Sequence, residues 1–192
     1  MSAYPHAHQE FETALLHRLA ASERFHVYQD AFRTATGLPL RLVSADPDGW
    51  CLDDQRTNRS PFCEALNLCE SACGACMETN RRLMEEAEVN GPTTCHCFAG
   101  LMETAIPVKM GASVIGYLKT GQVFKQTPTE AEFEKLAGMI GRKTLDKRSL
   151  GILKVAYMQT RSVEPERYPV SYTHLRAHET KANLVCRLLL EK

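Results

Sequence analysis

The chain has 192 residues, 44% of them hydrophobic, which is enough for one well-buried core and too few for two full domains. Lys plus Arg equals Asp plus Glu at 23 each, so no overall positive field would hold the chain on nucleic acid or on an anionic membrane, and the expected partner is a small molecule or another protein. The apolar stretches fall short of the roughly 20 residues of a membrane span, and MSAYPHAHQEFE has no basic-then-apolar signal, so no membrane partner and a cytoplasmic location are expected.

From Gln9 to Thr36 the residues Phe11, Leu15, Leu16, Leu19, Phe25, Val27, Tyr28 and Phe32 recur at helical spacing, with a break near Ser22. Gly37 and Pro39 end that helical run. Leu38 to Ala45 alternates as a strand does, Asp46-Pro47-Asp48-Gly49 is a turn signal, and Trp50 and Leu52 continue into a second strand. Ser60-Pro61 predicts a helix start, a capping hydroxyl followed by proline at the first helical position. A longer helix is expected from about Ser71 or Cys73 to Glu88, stopped by Asn90-Gly91-Pro92.

After Pro92, TTCHCFAG, LMETAIPVKM and SVIGYLKTGQVF read as three strands separated by glycines, with Pro107 marking an edge or a bulge in the middle one. Thr127-Pro128-Thr129-Glu130 joins a capping box to proline at N1, and Phe133, Leu136, Ala137 and Ile140 form one apolar face before Gly141. A last helix, about Asp146 to Gln159, carries Leu150, Leu153, Val155 and Tyr157. The expected fold is α/β of the α+β kind: a mostly antiparallel sheet of about five strands with flanking helices.

Seven of the eight cysteines lie between Cys51 and Cys97. In a reducing compartment such clustering points to metal binding or redox chemistry rather than permanent disulfides. Cys73-Gly-Ala-Cys76 has the spacing at which two thiolates share a metal or close a redox disulfide. A structural metal site needs four ligands; the expected set is Cys63, Cys73, Cys76 and Cys97, holding zinc or an iron–sulfur centre, with Cys69 and Cys95 as alternates. On a strand Cys95 and Cys97 face one way and His96 the other, so His96 is not expected to join both at one centre. The competing readings are a thiol redox sensor built on Cys73 and Cys76, inert packed thiols, and a thiol enzyme. The enzyme reading is set aside: His96 is badly placed to activate Cys95 or Cys97, and no Gly-rich phosphate loop, H-E-x-x-H or G-x-S-x-G occurs.

The ordered set Phe62-Cys63, Cys73 to Cys76, Cys97 to Leu101 (CFAGL), Ala105 to Val108 (AIPV) and Gly121 to Val123 (GQV) resembles the PocR ligand-sensing domain, a PAS-like module of bacterial signalling proteins and transcription regulators. The similarity runs from about Phe11 to Ile140. It implies a PAS-like sheet, a small organic effector such as a simple hydrocarbon derivative or alcohol, and no enzymatic activity. It also implies an output domain of the AraC helix-turn-helix kind, so that DNA is met only through a C-terminal domain absent from this chain; a homodimer is the expected assembly. The expected ligand-binding positions are Phe98, Pro107 and Gln122 in the matched motif strands, together with Trp50, the only tryptophan, which either plugs the hairpin or lines the pocket. Gln122 is an amide able to donate and accept, while Gly100, Gly116 and Gly121 more simply serve backbone geometry.

From about Pro169 the string SYTHLRAHET followed by LVCRLLLEK resembles a run found where a reading frame has passed into adapter DNA. Residues 1–168 are therefore expected to form the sensory domain and 169–192 a non-native tail, which leaves His174, His178 and Cys186 out of the site.

Overall fold

The computed structural model describes residues 4–45, 60–67, 69–141, 145–164 and 168. Helices α1 (Tyr4–Ala20) and α2 (Glu23–Thr36) part at Ser22, whose hydroxyl accepts the Phe25 N–H at 3.2 Å and caps α2. Gly37 ends α2 at φ 68°, a left-handed conformation that glycine adopts without Cβ strain. Leu16, Leu19, Phe25 and Phe32 are buried as the spacing predicts, whereas Phe11 and Val27 face outward.

β1 (Leu40–Ser44) follows. The turn at 46–49 and the strand expected at Trp50 and Leu52 lie outside the described residues. The chain continues through α3 (Pro61–Leu66), α4 (Glu70–Asn90), β2 (Thr93–His96), β3 (Met102–Met110), β4 (Ser113–Val123), α5 (Glu130–Met139) and α6 (Lys147–Met158). The strands make one antiparallel sheet in the order β1-β4-β3-β2. Four of the about five expected strands are thus found among the described residues. No helix among them is long and apolar enough to cross a membrane.

Pro107 sits where the sequence placed an irregularity. β2 reaches only to the pair Thr93↔Ala105, so β4 is the partner of β3 at Pro107, and a register shift follows between Val108 and Lys109. A residue without an N–H is tolerated at such a local edge.

Three local expectations are corrected. Ser60 precedes Pro61 as predicted, but its hydroxyl makes no cap bond. The cap of α5 is Thr129, in a capping box with Glu132; TPTEAE holds two overlapping Thr-x-x-Glu frames, and Pro128 falls before the cap instead of at N1. In α6 Leu153 and Tyr157 are buried while Val155 is exposed.

The two faces of the sheet have separate cores. Leu40, Leu42, Ile106 and Leu118 pack with Leu16, Leu19 and Phe25 of the N-terminal helices, each such side chain contributing about 1.5–3 kcal/mol through burial. On the opposite face Val43, Ala105 and Tyr117 meet Leu83 and Ala87 of α4. A third cluster joins α3, α5 and α6 around Tyr157, whose ring stands edge-on to Phe62 and Phe124 with centroids 5.1 and 4.8 Å away.

Candidate functional site

The register of the sheet assembles a charged group on the face that α4 covers. Arg41 of β1 lies directly opposite Lys119 of β4, Lys119 opposite Ala105 of β3, and Glu103, two residues before Ala105, on the same face. Cys95 of β2 is the partner of Glu103 on its other side. The Glu103 Oε1 accepts from the Arg41 guanidinium at 2.5 Å and from Lys119 Nζ at 3.1 Å. Lys119 also donates to the Asn80 side-chain oxygen of α4. Side-chain exposures of 9% for Arg41, 10% for Glu103 and 5% for Lys119 put all three charges inside the protein. Burying an ion costs several kcal/mol, which is offset only where partners are close and well aimed. Burial pushes the Glu103 carboxyl up, but the attraction of Lys119 and Arg41 outweighs it and holds the group below its ordinary value. Lys119 is lowered, by burial first, with Glu103 only partly offsetting it.

The thiols of α3, α4 and β2 surround this group. Cys63 is pushed up to about 12, by burial first and then by the Glu103 charge. Cys76 and Cys95 are each pushed up to about 11 by burial, with Cys97 and Glu103 respectively as the next cause. Cys97 is raised by burial, partly offset by backbone N–H donors of its turn. Cys63, Cys76 and Cys97 are close enough for each thiolate to raise another, so the structure does bring three of the four expected metal ligands into one neighbourhood. Cys73 is exposed, its sulfur 4.0 Å from the Asn67 carbonyl, and all six described cysteines are free thiols. Among the described residues no group of three or more Cys, His, Asp or Glu side chains is arranged to hold a metal ion.

Thiols held protonated are poor nucleophiles, because the thiolate is the reactive form. Burial keeps the Cys63 thiol in its protonated form at pH 7. Brief alkylation with iodoacetamide, mapped by mass spectrometry, is therefore expected to label Cys73 well before Cys63 and Cys76. Equal labelling of the three would overturn this account of the cluster.

Of the four expected ligand positions, the three described ones, Phe98, Pro107 and Gln122, do not converge. Phe98 lines an open cleft of about 550 Å³ together with Phe124, Leu136, Tyr157, Lys125 and Lys135, apart from the charged group. His96 borders the same cleft, facing away from Cys95 and Cys97 as strand alternation predicts. Pro107 is buried opposite Tyr117 on the α4-covered face. Gln122 is the extra residue of a β-bulge, at φ 59°, and its side-chain oxygen accepts the Ser60 N–H at 2.9 Å, tying β4 to the start of α3. Trp50 lies outside the described residues.

Sequence reasoning missed Arg41, Glu103, Lys119 and Asn80. A signal existed for the first three: LRLVS, METAIPV and YLKTGQ each place a charged residue inside a buried strand, where ions are rare unless paired.

The helix-covered face of the antiparallel sheet thus holds a buried, mutually paired set of charges. The family model described as "Sensory domain found in PocR" matches residues 19–175, and the chain belongs to that sensory-domain family. No curated protein matches the chain. Among solved structures, an IclR homolog complexed with 4-hydroxybenzoate, from Microbacterium hydrocarbonoxydans, is similar at 14% identity and a TM-score of 0.34, over 76% of this chain and 69% of that one. At that TM-score nothing about this chain's ligand follows from the likeness.

Proposed function

We propose that this chain is the effector-sensing part of a cytoplasmic bacterial transcription regulator of the AraC kind, acting as a homodimer without enzymatic activity. The effector is a small organic molecule bound between the sheet and helices α3 and α4. The observation that carries this reading is the burial of Arg41, Glu103 and Lys119 on one sheet face in a chain of a sensory-domain family. Buried ions are weak contributors to stability, so three of them under one helix are better accounted for by recognition. Binding acts as a population shift, favouring the arrangement of α3 and α4 in which the effector makes more contacts.

We place the output DNA-binding domain beyond Tyr168 and read 169–192 as non-native sequence, into which the family match runs as far as residue 175. A native reading frame past the Tyr168 codon without a helix-turn-helix pattern sinks the AraC part of the proposal. For sensing itself, a screen of small organic molecules by thermal melting is the test. An effector at 100 times its Kd stabilises by about 2.7 kcal/mol, which for a chain of this size raises Tm by about 5–10 °C. A broad screen with no such shift counts against sensing at this site.

A further inference from the structure

The chemical class of the effector follows from the charges around Glu103, provided that the sensing reading above holds. Two cations, Arg41 and Lys119, share one carboxylate oxygen of Glu103, which leaves an excess of one positive charge among the described side chains of the cluster. The surrounding thiols of Cys63, Cys76 and Cys95 stay protonated at neutral pH and do not cancel it. Arg41 has nitrogen donors to spare. Its Nε is buried without a hydrogen-bond partner, although the side chain is nine-tenths buried and its guanidinium carries five N–H groups. Lys119, with three donors, bonds Glu103 and Asn80. Next to these cations the same face is apolar: Val43, Ala105 and Tyr117, with Leu83 across from them.

We infer that the effector is a small organic carboxylate, its anionic end held by Arg41 and Lys119 and its apolar end against Val43, Tyr117 and Leu83. A guanidinium presents a planar fork that matches a carboxylate, and an anion removes the excess charge whereas an alcohol or amide leaves it. The shared Glu103 Oε1 is the group with which an arriving carboxylate competes. Making room there moves Glu103, Asn80 or α4, which is the differential contact that a population shift requires.

The test is thermal melting of the full chain with sodium propionate, butyrate and benzoate, against propionamide, butyramide, benzamide and propan-1-ol, with sodium chloride matching ionic strength. At least one carboxylate is expected to raise Tm while its amide does not, and Lys119→Met is expected to weaken that carboxylate by at least about tenfold. The acid-against-amide comparison uses the unaltered protein, so it decides the matter even where Lys119→Met fails to fold. An amide or alcohol that stabilises as well as the matching acid overturns the carboxylate class and leaves effector sensing standing. No shift from any acid overturns the inference too, as expected if the chain itself supplies the missing anion. Sensing falls with it only if the broad screen is also empty.

Discussion

Gly121→Ala is expected to be the most damaging alanine substitution among the described glycines, lowering stability by about 3–5 kcal/mol and Tm by about 10 °C. Gly121 has φ 117°, a region that side chains rarely enter, and it opens the bulge that Gln122 completes. A Cβ there would stand 2.5 Å from the Met102 carbonyl oxygen and 3.0 Å from the Glu103 Cα, and against the Tyr168 hydroxyl. Two of those neighbours are backbone, so they yield only if the strand pair itself shifts. Gly74→Ala is the matched control. It sits in α4 with nothing within 4 Å of the added carbon, and should be neutral or stabilise by up to about 1 kcal/mol. Equal melting of the two variants would mean that the bulge is not held as described.

Glu103→Gln is expected to cost about 3–5 kcal/mol at neutral pH, because it leaves Arg41 and Lys119 buried side by side without their shared anion. It should also alter the acid limb of the stability curve. Burial raises the Glu103 carboxyl, and Lys119 and Arg41 more than reverse this, so the folded value lies below the ordinary 4.5. A carboxyl depressed in the folded state contributes stability that is fully present above about pH 4.5 and is lost as pH falls through the folded value. The variant lacks that contribution, so its stability should fall less steeply than the wild type below about pH 4.5. Parallel acid limbs in urea titrations at several pH values would show that Glu103 is not the ion pair's anion.

Most elements were legible because their signals are local. Ser22, Gly37, Gly91 and the Phe133 to Ile140 stripe each act within a turn or two of chain, and the helices begin and end beside them. Caps were read less well where frames overlap, as in TPTEAE, and at Ser60, whose hydroxyl is buried without a partner while its backbone N–H bonds Gln122. The charged cluster was not read because its members lie on three strands, 62 and 16 positions apart, and only the register joins them. The cysteines drew attention by spacing, yet spacing does not fix which way a side chain points. Cys73 and Cys76 are one helical turn apart, and the first is exposed while the second is half buried.

Tyr168 gives the sheet a second role. Its hydroxyl accepts from Thr104 at 3.0 Å and donates to the Thr120 carbonyl at 3.3 Å, on the face opposite the charged cluster. Thr104 is one residue after Glu103, and Thr120 is one residue after Lys119. The same two strands therefore carry the charged cluster on one side and the Tyr168 hydrogen bonds on the other. A ligand that tilts Glu103 and Lys119 would reach Tyr168 across the thickness of a single backbone layer.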